Sequence, residues 1–168
     1  MLKALIPVDG SLNCQFAVKH VIRQFMANTA MEIHLLNVQP PFSSYIARFV
    51  SRKVLHDYHR DEADKALRPI QQMLDGFSIP YSVHAEVGDR AKSITDTARR
   101  LRCDQIVMST ARKNSLTRTI EDSVTNKVLE LTSVPVEVIA GDAVSKWERY
   151  GIPAGVGAAL ALMFAAMD

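Results

Sequence analysis

Two periodicities alternate along the chain. Residues 2–8, LKALIPV, form an apolar run broken by one lysine, and Asp9-Gly10-Ser11 follows as a turn and helix cap. Beyond it Cys14, Ala17, Val18, Val21, Ile22 and Phe25 keep the 3.6-residue spacing of one helix face, with Lys19, His20 and Arg23 off the stripe. Residues 31–38, MEIHLLNV, read as a second strand, apolar enough for burial on both faces, and Gln39-Pro40-Pro41 ends it. A helical pattern then runs from about Ile46 to Leu74, with Ala63, Ala66, Leu67, Ile70, Met73 and Leu74 on one stripe. Pro69 inside it predicts a kink or short break near Arg68. Gly76 fits a C-cap, Pro80 opens a third strand, and residues 81–87, YSVHAEV, alternate cleanly. After the turn at Gly88-Asp89, Ala91, Ile94, Ala98 and Leu101 predict a short helix whose last turn carries Arg99 and Arg100, with Arg102 just beyond, favoured there by the helix dipole.

From Asp104 to Ile139 the pattern gives strand (DQIVMS), loop, helix (SVTNKVLELTS) and strand (SVPVEVI). The loop from Thr110 to Glu121 is longer than a connector requires and carries Arg112, Lys113 and Arg118. Strands alternating with helices predict a parallel sheet with helices on both faces, a three-layer α/β/α sandwich. Such sheets bind ligands beyond the carboxyl ends of their strands, which makes the loops after Val8, Val38 and Met108 the candidates.

Composition narrows the reading. With 48% hydrophobic and 23% charged residues in a chain of 168, disorder is excluded. A net charge of +2 argues against nucleic-acid binding by bulk charge, so any anion site is local. Cys14 and Cys103 lack metal spacing and read as buried, reduced thiols; with no signal-peptide pattern, a cytoplasmic location is expected. His56 and His59, beside Asp57 and Asp61, lie one helical turn apart, a spacing shared by metal sites and by ordinary polar helix faces. His34 and His84 fall on strands expected to be neighbours. No G-x-S-x-G, Walker or H-E-x-x-H pattern occurs, so nothing argues for enzymatic turnover.

IPVDGS at residues 6–11, VGDRAKSI at 87–94 and DQIVMS followed by SVTNKVL and SVPVEVI, in that order, resemble the universal stress protein family over residues 2–140. The resemblance implies a Rossmann-like, adenine nucleotide alpha hydrolase-like fold with five parallel strands in the order 3-2-1-4-5, and a homodimer through the last strand, Val134 to Ile139. It also implies a nucleotide site at Pro7, Val8, Asp9, Val38, Met108, Ser109, Arg112, Asp122, Ser123 and Val124, with ATP or AMP as the ligand. The family's phosphate-wrapping loop, G-x2-G-x9-G-[ST], is degenerate here. Ser109, Arg112 and Asp122 replace its glycines, and Ser123 alone keeps the pattern. Glycine lets a backbone approach phosphate without a Cβ, and Asp122 sets a carboxylate where the anion would sit, or caps the last helix. Arg112, Lys113 and Arg118 offer side-chain charge in place of the lost backbone contacts. The expectation is a non-enzymatic stress-response regulator with a degenerate loop; the alternatives are a nucleotide-binding member and a membrane-recruited interaction module.

Past Ala140 the character changes. The pattern divides the chain into a domain at 1–141, a polar linker at 142–151 and an apolar segment at 152–168, IPAGVGAALALMFAAMD, with Pro153 suited to a helix start. The apolar run of residues 152–167 would span roughly 24 Å as a helix, short of a bilayer core of about 30 Å. Three readings stand: docking on this or a partner subunit, insertion as an anchor, or partial order.

Overall fold

The computed structural model describes residues 1–27, 30–112 and 124–143. Its elements in order are β1 (Leu2–Pro7), α1 (Cys14–Ala27), β2 (Met31–Gln39), α2 (Ser44–Phe49), α3 (Arg52–Asp75), β3 (Tyr81–Val87), α4 (Arg90–Leu101), β4 (Gln105–Arg112), α5 (Val124–Leu131) and β5 (Val136–Ala143). All strand pairs are parallel and the sheet order is β3-β2-β1-β4-β5, as expected.

The strand burial explains the layering. Ala4, Leu5 and Ile6 of β1 are fully buried, since successive side chains enter opposite cores. Ile6, Ile33, Leu35 and Val107 pack with α1 and α3 on one face. Leu5, Leu36, Val38, Ile106 and Met108 pack with α4 and α5 on the other. The stripe Cys14, Ala17, Val18, Val21 and Ile22 is the buried face of α1, as its spacing predicts. In the β1–α1 turn, Gly10 has φ +80° and its backbone abuts Ala66 of α3, where an added Cβ would lie 3.3 Å from the alanine methyl.

Three expectations about element bounds are corrected. The pattern from Ile46 is not one helix: Val50 is extended, with φ −119° and ψ 136°, and Ser51 caps a new helix through its Oγ, 3.4 Å from the Val54 amide. No break occurs at Arg68, because residues 52–75 run as one helix through Pro69. Pro69 is exposed, so the carbonyl that its missing N–H leaves free faces water. The expected linker also starts late, since β5 continues to Ala143. Gly141 is buried there, and a Cβ on it would collide with the Asn13 side chain and come within 3.2 Å of the Thr110 carbonyl. Among the described residues no helix is long and apolar enough to cross a membrane, and residues 152–168 lie outside them.

Under α4 the sheet carries a polar chain. Lys3 Nζ lies 3.1 Å from Glu32 Oε2, His34 Nε2 lies 3.1 Å from Glu32 Oε1, and His34 Nδ1 lies 3.2 Å from His84 Nε2. Across the last contact one nitrogen must donate and the other accept, so the pair holds together only while at least one ring is neutral. Burial, together with the charges of His34 and Arg100, holds His84 below the ordinary imidazole range, opposed by Glu86. A base depressed by folding contributes stability that is present above its unfolded pKa of about 6.5 and lost as pH falls below it. Urea titrations should therefore show stability falling from pH 7 to pH 5, and His84→Gln should flatten that slope.

Candidate functional site

The crevice forms at the carboxyl edge of the sheet, where chain order reverses between β1 and β4. A cleft of about 600 Å³, counted out to its open mouth, is lined by Pro7, Val8, Asp9, Cys14, Leu36, Val38, Arg90, Ile94, Met108, Ser109, Val124 and Thr125. Seven of the sequence-predicted residues therefore meet on it: Pro7, Val8, Asp9, Val38, Met108, Ser109 and Val124. Arg112 closes β4, with its side chain outside the described residues, where Asp122 and Ser123 also lie. Lys113 and Arg118 of the degenerate loop lie outside them too.

Local chemistry shapes this edge. Asp9 turns its carboxylate onto its own chain, Oδ1 accepting from the Ser11 amide at 2.9 Å, and so fixes the turn that opens α1. The Cys14 thiol donates to the Ser11 carbonyl at 2.9 Å. Burial first, and the Asp9 carboxylate second, push that thiol up to about 11. Behind the cleft Asn37, 1% exposed, donates from Nδ2 to the Val8 carbonyl at 2.7 Å, and its Oδ1 accepts from Gln39 Nε2 at 2.8 Å. The Val8 amide in turn bonds the Leu36 carbonyl at 2.8 Å, so both backbone groups of Val8 are held by β2 or its side chains.

The far wall comes from helix starts. Asp89 caps α4, its Oδ1 accepting from the Lys92 amide at 2.9 Å, and Arg90 is the first helical residue. The amino termini of α4 and α5 both meet the cleft, and the positive ends of the two helix dipoles favour an anion there. The cleft thus offers an apolar floor at Val8, Val38 and Met108, with Val124 at its rim, a carboxylate at Asp9 and a cationic side chain at Arg90. That set suits a flat apolar body bearing hydroxyls at one side and an anionic group at another.

Arg90 and Asn37 were not anticipated. In sequence Arg90 reads as one more surface cation, and the available signal was its position directly after the Gly88-Asp89 cap, at a strand's carboxyl end. Asn37 was the one amide inside an apolar strand, a position that requires a partner. The histidine pair of α3 assembles differently from a metal site: His56 lies 3.7 Å from Asp57, and His59 packs on Phe42 with ring centroids 4.8 Å apart. Among the described residues no group of three or more His, Cys, Asp or Glu side chains is placed to hold a metal ion.

A doubly wound parallel sheet with a crevice at its switch point defines a Rossmann-like α/β protein. Residues 1–140 match the Universal stress protein family, and the chain belongs to that family. It is 30% identical over 140 residues to universal stress protein MJ0531 of Methanocaldococcus jannaschii, covering 82% of this chain and 81% of that one. Among solved structures it resembles hypothetical protein MJ0577, with 26% identity, a TM-score of 0.68, and coverage of 83% and 95%. It also resembles a universal stress protein family protein of Arabidopsis thaliana with AMP bound, at 18% identity, a TM-score of 0.61, and coverage of 85% and 94%.

Replacing Asn37 by Ala strips the buried Val8 carbonyl of a donor and should lower unfolding free energy by about 1–3 kcal/mol in urea titrations. The raised thiol predicts that Cys14 in the native chain is alkylated by iodoacetamide far more slowly at pH 8 than in the urea-unfolded chain, because the thiolate is the nucleophile.

Proposed function

We propose that this chain is a non-catalytic regulatory protein of the universal stress type that takes AMP or ATP in the β1/β4 crevice. One observation carries the reading: residues the family pattern assigns to the nucleotide site, Asp9, Val38 and Met108 among them, line one cleft together with Arg90. Asp9 would accept from ribose hydroxyls, the apolar floor would take the base, and Arg90 would face the phosphate. AMP-bound protein of the same fold supports the ligand class.

The glycine losses shape the affinity. With Ser109, Arg112 and Asp122 in place of glycine, fewer backbone amides can reach a phosphate chain, and side-chain charge takes over part of that task. This favours a ligand with one phosphate over one with three. Among the described residues the site offers charge and shape without a nucleophile–base pair, which supports signalling over turnover. A homodimer through Val134 to Ile139 completes the proposal: β5 is an edge strand, and Val138 is 40% exposed on it.

Calorimetry with AMP and ATP on the purified chain tests this. AMP should bind in the millimolar range or tighter and more firmly than ATP. Arg90→Ala should weaken AMP roughly 10-fold or more, as expected for a lost charge-assisted hydrogen bond. Asp122→Gly should strengthen ATP binding. Absence of heat with either nucleotide at millimolar concentration would sink the nucleotide reading.

A further inference from the structure

One face of the molecule is apolar and uncovered. The six-residue α2 buries none of its described side chains, and Tyr45, Ile46 and Phe49 are 72%, 43% and 75% exposed. So short a helix is not stable by itself in water, because nucleation costs more than a single turn returns. The adjoining half of α3 behaves likewise: none of residues 52–62 is buried, and Val54 and Tyr58 are 56% and 51% exposed. This half overhangs the sheet. Ala66 is level with Gly10, just past the end of β1, so the turns from Arg52 to Ala66 extend about 20 Å beyond the strand edge. Tyr45 and Phe49 meet edge to face with centroids 5.2 Å apart, and Phe42 meets Tyr58 at 5.2 Å. The two ring pairs, on consecutive stretches of chain, give this face an aromatic apron of paired rings in place of singly scattered apolar residues.

The chain carries a segment of matching chemistry. Residues 152–167, IPAGVGAALALMFAAM, contain no charge. Their route begins at the same sheet edge: β5 ends at Ala143, and Gly141 lies against Asn13 of the β1–α1 turn. That turn also holds Leu12, 70% exposed, and Gly10, which abuts α3. Two contacts thus lead from the end of β5 to the overhang. Residues 144–151 can reach about 28 Å when extended, enough to cross the β1–α1 turn.

We propose that residues 152–167 dock on the apron formed by Phe42, α2 and the first half of α3 of the same chain. The small side chains of the segment allow close approach, and the aromatic rings supply the area to be buried. Docking covers two apolar surfaces at once and leaves Lys146 and Arg149 of the connection in water.

A photo-crosslinking benzoylphenylalanine placed at Phe49 in the full chain reads the contact. Products are mapped by mass spectrometry in an equal mixture of ¹⁵N-labelled and unlabelled protein. The expected result is crosslinking to residues 152–167 with matched isotopes, and a several-fold loss of that product in a second variant carrying Tyr45→Asp. Because position 45 is exposed, that variant keeps the core. It should also make the segment at least 10-fold more sensitive to elastase. Mixed-isotope products would assign the apron to a second copy and overturn the proposal. So would flotation of the full chain with phosphatidylcholine–phosphatidylglycerol vesicles without the intrachain product, or crosslinking elsewhere or nowhere. None of these readouts depends on nucleotide binding.

Discussion

Strand β1 is paired on both sides and buried on both faces, and the rest of the molecule follows from satisfying it. Its amides and carbonyls have no water to turn to, so β2 must run along one side and β4 along the other. Serving both neighbours with right-handed crossovers sends the chain first one way and then back. At the reversal the helices diverge, and the cleft is the space between them. The same constraint explains why the polar residues near that edge are each held. Asn37 completes the Val8 carbonyl, Asp9 completes the Ser11 amide, and the Asp9 carboxylate at the cleft is therefore already oriented.

A fixed floor with a variable rim divides the labour in this site. The floor is built by strands and cannot change without loss of the core. The rim at Arg90, Val124 and Thr125 is built by helix starts and is open to substitution. Family resemblance is kept at the floor, where Val8, Val38 and Met108 are also core residues, and lapses where Ser109, Arg112 and Asp122 replace the family's loop glycines.

The sheet, its order and the buried stripe of α1 were legible in the sequence because each follows from a repeating pattern or from the family resemblance. What escaped notice lacks a period. The break at Val50-Ser51 is written in ordinary residues, and Ser51 becomes a cap only because Val50 is extended. Pro69 was expected to interrupt its helix, but its exposed position lets water meet the free carbonyl. Arg90 looked like surface charge because nothing in a linear pattern tells which strand end a cation overhangs. Asp142 and Ala143 read as linker because aspartate and alanine are poor strand formers, and only the pairing of Arg112 with Ala143 shows that the ladder continues.

Gly141 acts as a gauge for the last strand. A methyl group in the space it occupies would meet the Asn13 side chain and crowd the Thr110 carbonyl at 3.2 Å, so Asn13 would have to turn away. Sliding β5 by one residue in either direction would bring Ala140 or Asp142 there, and sliding by two would bring Ile139 or Ala143; each carries a Cβ that displaces Asn13. An edge strand has a neighbour on one side only and is the element most prone to slip. Here the preferred register is reported to a turn belonging to the central strand, two positions across the sheet, so a slip at the periphery would disturb the turn at the middle.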